Sequence, residues 1–176
     1  LLFFTRSGYR KSPGQSTLFW LGDQLVTWDV YDGLKSAVVG MLSGGISGFS
    51  LNHSDAGGYT TIVNSLSRVT RSRELLWRWL ELSALSPVMR THEGNRPDDN
   101  FQIDGDQETL RHFARCAKIY KAWAAYRKQL CVQAAETGMP VARHLALHYP
   151  ADPNVYALSF EEYLRGEDLL VAPITD

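Results

Sequence analysis

Cysteine is scarce in this chain of 176 residues, where Cys116 and Cys131 are the whole complement. They stand too far apart along one helix-like segment to bridge, and they show no metal-ligand spacing. They read as packing residues. An excess of charge of one sign is also missing. Lys and Arg total 18 against 19 Asp and Glu, and the net charge is -1, with no basic block and no acidic tail. Nucleic acid and anionic membrane are therefore excluded as expected partners. No apolar run approaches the roughly 18 residues that a membrane span requires. No initiating Met and no signal-peptide n-region opens the chain. No internal repeat or low-complexity linker is visible. There is no Gly-x-Ser-x-Gly element, and neither cysteine sits in a nucleophile's setting. A phosphate-cradling G-x-G-x-x-G turn would have to lie between a strand and a helix. Here Gly44-Gly45-Ile46-Ser47-Gly48 precedes a strand-like run instead.

What is present is the composition of a packed domain, 44% hydrophobic and 11% aromatic. Four apolar runs read as buried strands: Leu1 to Phe4, Thr17 to Leu21, Ile46 to Leu51 and Val141 to Leu147. The first two lack in/out alternation, as expected of strands covered on both faces. Helical patterns separate them. Asp32 can cap a helix with Leu34, Ala37, Val38, Met41 and Leu42 on its apolar face, stopped by Gly44-Gly45. A second helix is expected from Ser72 to Leu85, with Leu75, Trp79 and Leu82 aligned. A third, Asp106 to Thr137, carries the stripe Leu110, Phe113, Ala117, Tyr120, Ala124, Cys131 and Ala134, with stop signals at Gly138 and Pro140. Strands alternating with helices imply α/β architecture with parallel strands and right-handed crossovers. A (β/α)8 TIM barrel needs about 250 residues, so four strands would form half of one. The opening LLFFTRSG begins inside an apolar strand, and the closing segment Leu169 to Asp176 stops just past another. Both ends are expected to cut through folded elements.

In such barrels chemistry sits at the C-terminal ends of the strands. Arg6 follows the first strand, Trp20-Leu-Gly-Asp23 the second, and Asn52-His-Ser-Asp55-Ala-Gly-Gly-Tyr59 the third. The last run carries Arg143, His144 and His148. Asp23 can cap a turn, or it can be aimed at a ligand. Trp20 offers a flat face for a sugar ring, and Gly22 lets a ligand come close. On residue types alone, Asp23 and Asp55 form the obvious carboxylate pair for acid/base work on a glycosidic bond. Alternatively, Asp55 and Arg6 form a structural ion pair. His53, Asp55, His92 and Glu93 lack close metal-ligand spacing, so no metal is expected. The acidic loop Asp98 to Asp106 has its glycine misplaced for a calcium-binding EF-hand.

The ordered motifs Trp20-Leu-Gly-Asp23, Asn52-His-Ser-Asp-Ala-Gly-Gly-Tyr59, Met89-Arg-Thr-His92 and Leu169-Leu-Val-Ala-Pro173 resemble glycoside hydrolase family 31, the retaining α-glycosidases with a catalytic (β/α)8 barrel. Thr5-Arg-Ser-Gly-Tyr9 and Arg90-Thr-His-Glu-Gly-Asn-Arg-Pro97 look closer still to its sulfoquinovosidase branch, which hydrolyses α-glycosides of 6-deoxy-6-sulfoglucose. The resemblance covers essentially the whole chain. It implies that residues 1–150 hold about strands five to eight of the barrel. Residues 151–176 then hold the barrel exit and the start of a C-terminal β-domain. It also implies a small sulfonated glycoside, such as sulfoquinovosyl glycerol, as substrate, with no cofactor. Asp23 matches the family's general acid/base. Arg6, Trp20, Asp55 and His92 match residues lining the −1 sugar subsite, and Tyr59 matches a sulfonate-recognising tyrosine. The nucleophile, with an arginine and a tryptophan of the sulfonate site, belongs to parts of the family sequence outside this chain. Departures from the family pattern are an insertion over Asn64 to Thr70, Ala124-Ala125 before Tyr126 where a proline is usual, and His144 in place of another proline. An α-glucosidase or α-xylosidase of the same family is the alternative. A non-catalytic sugar-binding product is a second. A glycan on the sequon Asn52-His53-Ser54 would fill the site, which favours a cytoplasmic setting.

Overall fold

The computed structural model describes residues 3–176. Leu1 and Leu2, the start of the first expected strand, lie outside the described residues. The elements run β1 (Phe4–Thr5), β2 (Leu18–Trp20), α1 (Leu34–Ile46), β3 (Asn52–His53), β4 (Ile62–Val63), β5 (Arg68–Val69), α2 (Arg73–Ala84), α3 (Gln107–Ala122), α4 (Ala124–Thr137), β6 (Ala142–Arg143), β7 (Tyr163–Arg165) and β8 (Leu169–Val171).

Strands β1, β2 and β3 pair in parallel in that order, with Thr5 beside Phe19 and Trp20 beside His53. A parallel bridge from Ala56 to Thr91 adds a fourth segment to this curved array. The expected fourth strand is elsewhere. Only Ala142–Arg143 of the run Val141 to Leu147 is extended, and it pairs antiparallel with β7, which pairs with β8. His144 then accepts a hydrogen bond from the Ala146 backbone through Nδ1 and opens a 3-10 turn. Arg143, His144 and His148 are therefore not at the end of a parallel strand. Antiparallel β4 and β5 form a small hairpin over the segment Asn64 to Thr70.

Helix α1 runs straight through Gly44 and Gly45, the expected stop, to Ile46. The glycines serve close packing. A Cβ on Gly45 would stand 2.9 Å from Pro140 Cβ and 3.3 Å from the Ala142 carbonyl. The helix takes up Ile46, the first residue of the expected third strand, and the strand itself forms just past the expected run, at Asn52–His53. Its N-cap is Gly33 rather than Asp32, because Asp32 Oδ1 accepts from the Leu25 backbone instead. Helix α2 matches its pattern: Ser72 caps it through Leu75 N, and Leu75, Trp79 and Leu82 are buried.

The long third helix is broken at Trp123. Its indole Nε1 donates to the Ala84 carbonyl at the end of α2. The Arg127 guanidinium takes the Tyr120 carbonyl at 2.9 Å while stacking over the Tyr120 ring. A side chain thus replaces the helical donor that the break removes. The buried face of α3 is also rotated from the expected stripe. Thr109 and Cys116 are buried, while Leu110 is exposed. Polar contacts set this phase: Trp77 Nε1 donates to Thr109 Oγ1, and His112 stacks on the Trp77 ring at 4.6 Å. The two cysteines fall on separate helices and are free.

One core packs α1 and α2 against β7 and β8, through Leu34, Val38, Met41, Leu75, Trp79, Tyr163 and Val171. A second joins α2 to α3 through Leu76, Leu80, Ala84 and Cys116. Among the described residues, no helix is long and apolar enough to cross a membrane.

Candidate active site

Each parallel segment ends in a turn that carries one of the expected site residues. Arg6 follows β1, Asp23 follows β2, Asp55 and Tyr59 follow β3, and His92 follows the Thr91 bridge. Pairing in parallel puts all of these turns at one end of the array.

The turn after β2 is shaped by Gly22, whose φ of +95° lies in the left-handed region that side chains disfavour. The segment presents Asp23, whose side chain is 27% exposed. Arg6 Nη2 meets Asp23 Oδ2 at 2.9 Å. The same guanidinium stands 5.2 Å from the Trp20 ring centre. Arg90 approaches the Trp20 ring at an equal distance.

Asp55 behaves differently. Its side chain is fully buried and bonds to Arg90, Nε at 2.9 Å with Nη2 closer still. The ion-pair partners differ from the expected ones: Arg6 holds Asp23, and Arg90 holds Asp55. Burial raises the Asp55 pKa, the bonds and charge of Arg90 oppose this, and the nearby Asp23 charge adds to it. Asp55 Oδ2 has no partner among the described residues, and an unfilled acceptor at this depth suits a donor brought by a ligand.

His53 shares this interior and is 1% exposed. Neither ring nitrogen has a well-formed hydrogen bond among the described residues, although the Phe19 backbone lies close enough to favour the charged ring slightly. Desolvation, with the Arg90 charge beside it, lowers its pKa to about 4. The ring is neutral and packs edge-on against Phe4 at 5.6 Å.

Tyr59 and His92 meet edge to face, with ring centres 4.9 Å apart. Gly94 N donates to His92 Nδ1, which leaves Nε2 as the outward nitrogen of that ring. Backbone bonds join the Tyr59 turn to the Asp23 turn: Tyr59 N and Thr60 N donate to the Gln24 carbonyl, and Thr60 Oγ1 donates to the Asp23 carbonyl. The expected residues thus form two clusters, Arg6–Trp20–Asp23 and Tyr59–His92. Asp55 and Arg90 lie beneath the parallel turns.

Two arginines that brace the expected residues were missed by sequence reasoning. Arg90 was visible only inside the Met89-Arg-Thr-His92 motif. Arg71, buried before α2, bonds to both the Tyr59 and His92 loops. An arginine directly before Ser72, the expected helix start, was the available signal, and it does not reveal burial.

The sequon asparagine does not point toward this site. Asn52 is 1% exposed, and its Nδ2 donates to the Met41 and Phe49 carbonyls. In the acidic loop, Asp99 pairs with Arg68 and Asp106 caps α3. Among the described residues, no group of His, Cys, Asp and Glu is placed to hold a metal ion.

The family described as glycosyl hydrolases family 31 TIM-barrel domain matches residues 1–131, and the family 31 C-terminal domain matches residues 138–176. Strand β6 falls within the second match. A sulfoquinovosidase of Escherichia coli is 49% identical over 99% of this chain and 25% of its own length. A sulfoquinovosidase of Agrobacterium fabrum is 49% identical over 98% of the chain and 25% of its length. A solved family 31 sulfoquinovosidase from E. rectale, in complex with the aza-sugar inhibitor IFGSQ, superposes with a TM-score of 0.94 and 43% identity. That superposition covers the whole chain and 26% of the solved one. The chain thus spans about a quarter of the length of the relatives it matches. With its parallel strand ends, antiparallel C-terminal sheet and matches to both family domains, this chain belongs to glycoside hydrolase family 31.

Proposed function

We propose that this chain is the part of a retaining α-sulfoquinovosidase that supplies the general acid/base, Asp23. Its substrate is sulfoquinovosyl glycerol or a related sulfolipid-derived glycoside. One observation carries the reading: in a chain 49% identical to two sulfoquinovosidases, Asp23 is held 2.9 Å from Arg6 beside the Trp20 ring. In the retaining mechanism a carboxylate attacks the anomeric carbon while a second carboxyl protonates the departing oxygen, at a separation of about 5–5.5 Å. The attacking carboxylate comes from the barrel portion outside this chain. Asp23 gives its proton to the leaving oxygen, then takes one from the water that opens the glycosyl-enzyme.

The remaining residues orient the sugar. Trp20 presents an aromatic face, which suits the C–H surface of a pyranose. Arg6 and His92 Nε2 meet hydroxyls. Asp55, held by Arg90, offers its free Oδ2 to a hydroxyl donor. Tyr59 meets the sulfonate, directly or through water. Buried Asp55 is thus a substrate ligand and not the second catalytic carboxylate. We place the start of the C-terminal β-domain at β6 rather than at residue 151, which the family match over residues 138–176 supports.

The test is hydrolysis of an aryl α-sulfoquinovoside against the matching aryl α-glucoside by the full-length polypeptide carrying this sequence. The sulfoquinovoside is expected to have the higher kcat/KM. A faster glucoside would sink the reading in favour of a family 31 α-glucosidase.

A further inference from the structure

The side chain that joins the two substrate-facing loops carries no role in the mechanism above. Arg71 is 3% exposed. Its Nε donates to the Phe101 carbonyl at 2.9 Å. Nη1 donates to the His92 carbonyl at 2.9 Å and, more weakly, to that of Gly58 at 3.5 Å. Nη2 donates to Gln102 Oε1 at 2.9 Å and to the Glu93 carbonyl at 3.4 Å. Gly58 is the neighbour of Tyr59, and His92 is bonded directly. A planar guanidinium can hold several carbonyls in one fixed fork, which an ammonium cannot.

The acceptors are all neutral. No carboxylate pairs with Arg71 among the described residues. Burial draws its pKa down to about 10, and the charge of Asp55 acts the other way. Keeping a cation here has a desolvation cost that burying neutral groups would avoid, so the arrangement is informative about what the fork is for. Gln102 extends the same tie, since its Nε2 donates to the Glu93 and Pro97 carbonyls. Asn95 N also donates to the Tyr59 carbonyl at 3.2 Å, which links the two loops a second time.

We propose that Arg71 is the positioning residue that fixes the Tyr59–His92 pair, and with it the preference for a sugar bearing an anionic group at C6. The inference rests on the sulfoquinovosidase reading. Arg71 touches backbone rather than substrate, so it acts by holding Gly58 and His92 in register. Releasing the fork lets the Tyr59 ring move relative to the sugar ring, and shifts of about 1 Å at such positions can cost up to 10²-fold. The loss falls on the substrate whose substituent Tyr59 meets. A glucoside lacks that contact and loses less.

The experiment uses the full-length polypeptide, with Arg71→Met, Arg71→Lys and Gln102→Leu. Each is assayed on aryl sulfoquinovoside and aryl glucoside, with Tm recorded. Arg71→Met is expected to lower the sulfoquinovoside-to-glucoside ratio of kcat/KM by about tenfold or more, chiefly through the sulfoquinovoside KM. Arg71→Lys should recover part of the ratio, and Gln102→Leu should lower it less. An unchanged ratio in folded Arg71→Met, or equal loss on both substrates, overturns the proposal. If Arg71→Met does not fold, an unchanged ratio in both Arg71→Lys and Gln102→Leu overturns it. Failure of the substrate reading shows separately, as a wild-type protein that prefers the glucoside.

Discussion

The parallel turns and the C-terminal antiparallel sheet both bury charged side chains, but with different surroundings. Under the parallel turns, Arg90 faces Asp55, a fully buried carboxylate that still has a free oxygen. In the C-terminal sheet, Arg143 bonds to the Pro140 carbonyl, Gln133 and His148, and its carboxylate neighbour Glu167 lies 3.7 Å away and is exposed. Arg165 reaches Met41 Sδ. The first region leaves polar capacity open and aims it at one end of the strands. The second encloses its polar groups in the fold: Arg143 sits among carbonyls and side chains, while Arg165 Nε and Nη1 and Tyr163 Oη have no partner among the described residues. Unfilled buried groups occur in both regions, so location separates them: Asp55 lies beside the turns at one end of the parallel strands, and Arg165 and Tyr163 are enclosed in the core.

The largest expected effect separates the two regions most sharply. In the full-length polypeptide, Asp23→Asn removes the proton donor while its amide keeps the size of the side chain. General acid/base groups contribute ~10²–10⁴-fold. Turnover of glycosides with poor leaving groups should fall within that range, while an activated aryl leaving group should lose less in the first step. Steady-state kinetics on the two leaving groups would show it. Equal wild-type and Asp23→Asn rates with a poor leaving group would remove Asp23 from the acid role and leave the parallel turns as architecture too.

A smaller effect concerns His53, which is buried under the site yet touches no reacting atom. Its folded pKa is about 4 against an ordinary 6.5. The folded state therefore holds the neutral ring, and the resulting stability is present in full above pH 6.5. It is lost as the pH falls through that value toward about 4. Between about pH 7 and pH 5 the loss is on the order of 2 kcal/mol. His53→Leu, which removes two unpartnered nitrogens, should flatten this acid limb of the denaturation midpoint. An unchanged slope would mean that His53 finds a partner in the rest of the barrel.

Much of this division was legible in the sequence, and the failures share a cause. The strand before Asp23 is legible, because an apolar run followed by glycine and a lone charge is a local signal, and Leu18–Trp20 is indeed a strand. Val141 to Leu147 looked the same locally. Its separation from the parallel strands is set by long-range pairing with Tyr163–Arg165, which no local pattern records. The ion pairs failed for the same reason: Arg6, Asp23 and Asp55 follow parallel strands, Arg90 precedes the Thr91 bridge, and only three-dimensional register decides that Arg90, not Arg6, reaches Asp55. The break at Trp123 has no proline or glycine to mark it. It follows from an indole anchored on a different helix. Gly44-Gly45 misled in the opposite way, since a stop signal and a close-packing signal are the same residue.

The smallest expected effect tests the C-terminal side of the contrast. Tyr126 Oη donates to the Arg165 carbonyl at 3.1 Å and accepts from Glu167 N and Asp168 N at 3.2 and 3.3 Å. One hydroxyl thus clamps the β7–β8 turn to α4. Tyr126→Phe keeps the ring and removes the clamp, at a cost of about 1 kcal/mol. The denaturation midpoint should fall accordingly, while kcat/KM for both aryl glycosides stays at the wild-type level. If polar burial in this sheet is architectural, stability alone will move. A change in the sulfoquinovoside-to-glucoside ratio would instead couple this sheet to the parallel turns, through the core that α1 and α2 share with β7 and β8.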